Sequence, residues 1–232
     1  MTRNIKKTAE LGQKIDHTLL KPTLLVNELE TLCREAAQYS FKTVCIPPTW
    51  VETCVQLLKG TSVGTITVVG FPLGYSDARS KALESRIAIE QGASEIDMVV
   101  NVSFLKNKLD SKVEEDISTV VQACGKTPLK VIIETAYLTD EEKVRVAKIA
   151  ERAGATFVKT STGFATGVPT TGATLADIQL LRQTLKPETQ IKASGGIRDL
   201  ATAMALVNAG ASRLGTSSGV QILNGLQTSG EY

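Results

Sequence analysis

"QGASEIDMV" (residues 91–99), "RAGATFVKT" (152–160) and "NAGASRLGT" (208–216) are three versions of one phrase. Each closes a helical stretch with Gly-Ala and opens a β-branched or apolar run two residues later. Gly92, Gly154 and Gly210 fall where a helix ends with positive φ, a conformation that a residue without Cβ adopts freely. The alanine that follows is small enough for the helix end to lie on a sheet. Recurrence of helix, glycine and strand predicts βα units around a parallel sheet.

The same rhythm extends in both directions. Strands are predicted at 14–16, 43–46, 65–70, 95–100, 129–134, 157–162, 190–195 and 213–217. Several lack polar/apolar alternation, as parallel strands covered on both sides do. Helices are predicted at 76–92, 139–154 and 199–210. The second opens with Thr139 and Glu142 in the spacing of a capping box and carries Val144, Ala147, Ile149 and Ala150 as an apolar stripe. Eight βα units in 232 residues predict a single-domain (β/α)₈ barrel near the lower size limit of that fold. An open doubly wound sheet would place G-x-G-x-x-G after the first strand, and that motif is missing. No linker divides the chain, so residues 1–232 read as one domain with a short polar N-terminal extension and C-terminal tail.

Composition excludes several partners. Charged residues are 22% of the chain, the net charge is +2 and aromatics are 4%, which suits neither a nucleic acid nor an acidic membrane surface. No apolar run could span a bilayer, and the polar start lacks the apolar core of a signal peptide, so a cytoplasmic protein is expected. Cys33, Cys45, Cys54 and Cys124 show no C-x-x-C pairing, and reduced thiols are expected. With His17 the only histidine, a transition-metal site is poorly supplied. Chemistry must then run on Lys, Asp, Glu and backbone, with no metal and no cofactor.

In a (β/α)₈ barrel the active site lies at the C-terminal ends of the strands. There Lys159 ("FVKTST") and Lys192 ("IKASGG") occupy neighbouring strands, about 4.8 Å apart. Two inward ammonium groups at about 4 Å and an effective dielectric of ~20 repel by about 4 kcal/mol, roughly three pKa units. Desolvation pushes the same way. One amine is then neutral near pH 7, as a nucleophile toward a carbonyl must be. Asp97, a carboxylate in the apolar run "EIDMVV", is their natural partner and proton carrier. Glu134 is a weaker candidate for the same region, and Asp16, Thr18, Cys45 and Thr162, at or near strand ends, are candidate substrate contacts. Turns "ASGGIRD" (193–199) and "LGTSSGV" (214–220) follow strands seven and eight, the usual phosphate site of the fold. Gly195, Gly196, Gly215, Ser217 and Ser218 are the candidate phosphate-binding residues. Arg198 is placed to reach either a phosphate or its neighbour Asp199.

Together "KIDHTLLKP", "VCIPP", "TVVGFPLG", "EIDMVVN", "KVIIETAYLTDEEK", "GATFVKTSTGF", "IKASGGIRD" and "RLGTSSGV" resemble the deoxyribose-phosphate aldolase family, from about residue 14 to 220. The resemblance implies a class I aldolase on a (β/α)₈ barrel. It would cleave 2-deoxy-D-ribose 5-phosphate reversibly to acetaldehyde and D-glyceraldehyde 3-phosphate. It also implies that Lys159 forms the Schiff base, Lys192 tunes it, Asp97 exchanges protons, and the molecule is a homodimer. Three departures stand out: Pro47 in place of the family's Asn, Tyr137 beside the end of strand five, and the longer loop "GFATGVPTTGAT" (163–174). For the terminal Tyr232 a disordered end is the default expectation, with folding over the site to relay a proton as the alternative. The competing functions for such a chain are a barrel holding a phosphate-bearing cofactor and a sugar-phosphate-binding barrel without catalysis.

Overall fold

The computed structural model describes residues 10–169 and 171–226. Eight parallel strands close into a barrel in sequence order: β1 (Ile15–Thr18), β2 (Thr43–Ile46), β3 (Gly64–Val69), β4 (Glu95–Val99), β5 (Leu129–Ile132), β6 (Phe157–Lys159), β7 (Gln190–Ser194) and β8 (Arg213–Thr216). Around them lie α1 (Val26–Gln38), α2 (Val51–Leu57), α3 (Ala78–Glu90), α4 (Val102–Lys106), α5 (Asp110–Cys124), α6 (Asp140–Arg152), α7 (Leu175–Thr184), α8 (Leu200–Asn208) and α9 (Gly219–Leu223). The N-terminal extension, the C-terminal tail and Tyr232 lie outside the described residues.

The repeated phrase does what its glycines require. Gly92, Gly154 and Gly210 have φ of 102°, 94° and 122°, each just past a helix whose chain must turn back onto the sheet. At Thr139 the predicted capping box forms: the hydroxyl accepts from the Glu142 amide at 3.3 Å, and Glu142 accepts from the Thr139 amide at 2.9 Å. The buried face of α6 comprises Val146, Ala147, Ile149 and Ala150, so Val146 takes the place expected of the half-buried Val144.

Strand faces divide sharply. In β4, Ile96 and Met98 join the large apolar core shared with the helices. Glu95 and Asp97, two residues apart on the opposite face, enter the lumen. There they meet Lys130, Lys159, Lys192, Arg213 and Asp16, all less than a tenth exposed. The lumen also holds a small apolar cluster of Cys45, Ile66 and Val68 with Leu20, against which Phe71 and Phe164 pack.

The ends of β1, β5 and β6 differ most from expectation, and β6 stops at Lys159 where the run to Thr162 was expected. β1 continues through Thr18, paired with Cys45 of β2, so Asp16 sits within the strand and not at its end. β5 ends at Ile132, and Glu134 turns the chain with φ of 54°. Even so, Ile133 and Thr135 still donate to the carbonyls of Lys159 and Thr160.

Candidate active site

Register sets the central geometry. Lys159 and Lys192 lie directly opposite each other across β6 and β7, so both side chains project to the same level of the lumen. Their ammonium nitrogens each donate to one oxygen, Asp97 Oδ2, at 2.8 Å. The other carboxylate oxygen, Oδ1, faces Lys130 Nζ at 2.9 Å. One wholly buried carboxylate thus serves three amines.

Below this level the charges continue to the N-terminal end of the barrel. Asp16 holds Lys192 at 2.6 Å and Arg213 at 2.6 Å, and accepts from the Thr43 hydroxyl at 2.7 Å. Glu95 pairs with Arg213 at 3.0 Å and with Lys130. Lys130 and Arg213 both sit over the Phe157 ring, 5.3 and 5.4 Å from its centroid, the favourable face for a cation. Three carboxylates therefore confront four cationic side chains, and a neutral amine at one of the four balances the lumen.

The electrostatics distinguish Lys159 from Lys192. Burial pushes it below the ordinary lysine range; the Asp97 charge opposes this and the Lys192 charge reinforces it. Burial acts on Lys192 too, but Asp16 and Asp97 outweigh it and hold that amine above its usual value. For Asp97, burial favours the neutral acid, yet Lys130, Lys159 and Lys192 together keep it well below the carboxylate range. The expected split between the two lysines is present, with a different leading cause. Asp97 stands between the amines, so desolvation of Lys159 comes first and repulsion by Lys192 is an addition to it.

The remaining predicted positions spread around the C-terminal rim. Cys45 is buried with Leu20, Ile66 and Val68, and burial raises its thiol against the opposing charges of Lys192 and Lys159. Thr18 donates to its own strand, at Asp16 O. Thr162 donates to Glu134 and accepts from the Phe164 amide at 2.9 Å, so it and Glu134 organise the start of the loop after β6. Burial raises the Glu134 carboxyl despite the Thr162 bonds. Tyr137 pins the same loop by accepting from the Thr166 amide at 2.9 Å.

On the β7–β8 side, Gly195 and Gly196 take φ of 84° and 74°. A Cβ on Gly195 would lie 2.7 Å from Gly172 Cα, so the long loop packs against backbone that only glycine leaves open. Gly215 lies within β8, where a Cβ would come 3.0 Å from Lys192 Cε. Its bare Cα makes room for that side chain. Ser217 is exposed and Ser218 half-buried at the tip of the next turn. Arg198 is half-buried, and Asp199 caps α8 by accepting from the Thr202 amide at 2.8 Å.

Sequence reasoning passed over Lys130, Glu95 and Arg213. Their signal was present in part: Glu95 stands two residues before Asp97, and a period of two puts both on one face. Among the described residues no group of three or more His, Cys, Asp and Glu side chains could hold a metal ion. No described helix is long and apolar enough to cross a membrane.

Comparison with known proteins agrees with this geometry. The family model described as DeoC/LacD family aldolase matches residues 10–225. A deoxyribose-phosphate aldolase of a Geobacillus species is 52% identical over 223 residues, 96% of this chain and 98% of the relative. Deoxyribose-phosphate aldolase 1 of Bacillus licheniformis is 49% identical over 226 residues, 97% of this chain and all of the relative. The solved tetrameric deoxyribose phosphate aldolase of Aeropyrum pernix superposes with a TM-score of 0.84 at 32% identity, covering 97% of each chain.

Proposed function

The chain belongs to the DeoC/LacD family of aldolases, and from that premise we propose how its buried amines carry out the reaction. That reaction is the reversible cleavage of 2-deoxy-D-ribose 5-phosphate to D-glyceraldehyde 3-phosphate and acetaldehyde through a lysine Schiff base. Lys159 is the nucleophile. The observation that carries this assignment is the sharing of Asp97 Oδ2, at 2.8 Å, by Lys159 and Lys192 in a lumen where Lys159 is only 3% exposed.

In the cycle, neutral Lys159 Nζ adds to C1 of the open-chain sugar phosphate, and the carbinolamine loses water to give an iminium ion. Lys192, kept protonated, stands where it can donate a proton to the departing hydroxyl. Asp97, kept ionised, relays the proton released at the new C–N bond to the C1 oxygen and is a carboxylate again for the next step. A base, Asp97 acting through water, then takes the C3 hydroxyl proton. The C2–C3 bond breaks and its electrons enter the iminium system. D-glyceraldehyde 3-phosphate leaves, the enamine is protonated at C2, and hydrolysis returns Lys159 and acetaldehyde. Gly195, Gly196, Gly215, Ser217 and Ser218 hold the phosphate, which converts binding at the far end of the substrate into orientation at C1. Asp16 acts through Lys192 as its counter-ion, and Thr162 acts through the loop it organises.

Borohydride reduction in the presence of acetaldehyde tests the central step. An ethyl group is expected on Lys159 in peptide mass spectra; an adduct on a different lysine, or on none, overturns the assignment. A homodimer in the cytoplasm fits the resemblance. Leu83 and Ile87, exposed on α3 beyond Leu73 and Tyr75, offer an apolar face for self-association. Light scattering on the eluting protein reads the assembly directly.

A further inference from the structure

The two turns assigned to phosphate binding come from different strands, and one hydroxyl joins them. Thr216, the last residue of β8, is 2% exposed. Its Oγ1 donates to the Ile197 carbonyl at 2.7 Å and accepts from the Ser218 amide at 2.9 Å. Ile197 directly follows Gly195 and Gly196 in the turn after β7. Ser218 follows Ser217 in the turn after β8. A hydroxyl has one proton to give and lone pairs to receive. Here the proton is spent on one turn and a lone pair on the other, and each bond strengthens its partner by polarising the shared oxygen.

The turn after β8 is also fixed from behind. A Cβ on Gly219 would lie 2.9 Å from the Phe41 ring and 3.1 Å from His17 Nδ1, so the backbone at Gly219 rests against those rings. His17 is in turn held by Glu35 at 2.8 Å. The turn after β7 meets the long loop, whose Ala173 amide donates to Gly195 O at 3.1 Å. The two turns thus have separate supports, and Thr216 sets their mutual spacing.

The geometry points to Thr216 as a positioning residue that holds the two turns in register, so that a substrate phosphate meets both at once. This rests on the reading of those turns as the phosphate site. Thr216 acts through the backbone of Ile197 and Ser218 and touches no reacting atom. Its loss therefore weakens capture of the phosphorylated end and leaves the amine chemistry intact. A hydroxyl with a merely structural part would change stability without distinguishing substrates.

The test compares the full-length wild type with Thr216→Val, Thr216→Ala and Thr216→Ser. Cleavage of 2-deoxyribose 5-phosphate and of unphosphorylated 2-deoxyribose is measured, together with inhibition by inorganic phosphate. Thr216→Val and Thr216→Ala are expected to raise KM for the phosphorylated sugar about tenfold, the scale of one to two lost hydrogen bonds. They leave kcat within about twofold, weaken phosphate inhibition in parallel, and leave kcat/KM for the unphosphorylated sugar unchanged. Thr216→Ser keeps the hydroxyl and restores wild-type values. Thr216→Ala covers the case in which the valine variant does not fold. If the wild type prefers the phosphorylated sugar and is inhibited by phosphate, yet the variants match it or lose both substrates equally, the role of Thr216 is overturned and the phosphate site stands. If the wild type shows neither preference nor inhibition, the phosphate site itself is wrong and Thr216 falls with it.

Discussion

Two lysine–aspartate systems are buried among the described residues, and they differ in stoichiometry. Outside the barrel, Lys81 of α3 meets Asp116 of α5 at 2.7 Å and donates to the Val99 carbonyl at 3.0 Å. Inside, Asp97 is divided among Lys130, Lys159 and Lys192. Burial lowers Lys81 and raises Asp116, so each member of that pair is pushed toward its neutral form. In the lumen the carboxylate is held ionised by three cations, and the displacement falls on one amine, Lys159. Burial alone therefore does not make a nucleophile. A lysine with a private carboxylate and a carbonyl to bond is a strut; one that shares its carboxylate below the open end of a barrel can give up its proton and react.

The sharpest way to break this contrast is to remove each lysine in turn. Lys159→Ala is expected to lower kcat by about 10⁴-fold or more, as loss of a covalent nucleophile does, with circular dichroism unchanged. Lys81→Met is expected to leave kcat within about threefold. It should lower unfolding free energy by about 3 kcal/mol, since it strands a buried carboxylate. Denaturant titration and steady-state kinetics on both variants read the two effects. A destabilised, active Lys159→Ala or a stable, inactive Lys81→Met would reverse the roles.

Lys192→Leu sharpens the contrast, because it makes the lumen more like the strut. Without the Lys192 charge, and with Asp97 more available to it, Lys159 moves back up toward the ordinary lysine range. The neutral fraction of Lys159 falls, and the acid limb of kcat/KM shifts to higher pH. Most activity at neutral pH is lost and part of it returns in alkali. A pH–rate profile of unchanged shape would show that Lys159 is set by burial alone.

These two systems were not equally legible in the sequence. Lys159, Lys192 and Asp97 announced themselves as charges inside apolar, β-branched runs that the Gly-Ala repeat had already marked as strands. Lys130 in "LKVIIE" had the same signal, but which face of an alternating strand becomes lumen is decided by barrel closure and not by the strand. Lys81 in "SKALESRIAIEQ" looks like any solvent-facing helical lysine. Its burial comes from α5, which packs closely on α3, and nothing local records that contact. Thr216 stood in a quoted motif yet passed unnoticed, because its meaning lies in the Ile197 carbonyl of another turn. The fold was readable from local repetition, and the proposed catalytic pair from misplaced charge. The supporting network depends on tertiary neighbours.

The smallest expected effect lies deepest in the lumen, at Asp16, and it separates the two systems by sign. Burial favours the protonated form of Asp16, but Lys192, Arg213 and Lys130 overcome it and lower the carboxyl from 3.8 to about 2. A carboxyl lowered on folding stabilises the fold above its unfolded value, and that contribution disappears as pH falls from about 4 through about 2. The displacement corresponds to about 2 kcal/mol. Asp116, raised on folding, has the opposite slope: it takes up its proton first in the folded state, so acidification favours the fold there. Asp16→Asn should thus be less stable than wild type near neutral pH, and the gap should close on approaching pH 2. Asp116→Asn should show no such closing gap. Unfolding free energies measured across that range for both variants test the contrast. Parallel curves for Asp16→Asn and wild type would mean that the lumen charges do not hold Asp16 down, and the balance that lowers Lys159 would lose its lower support.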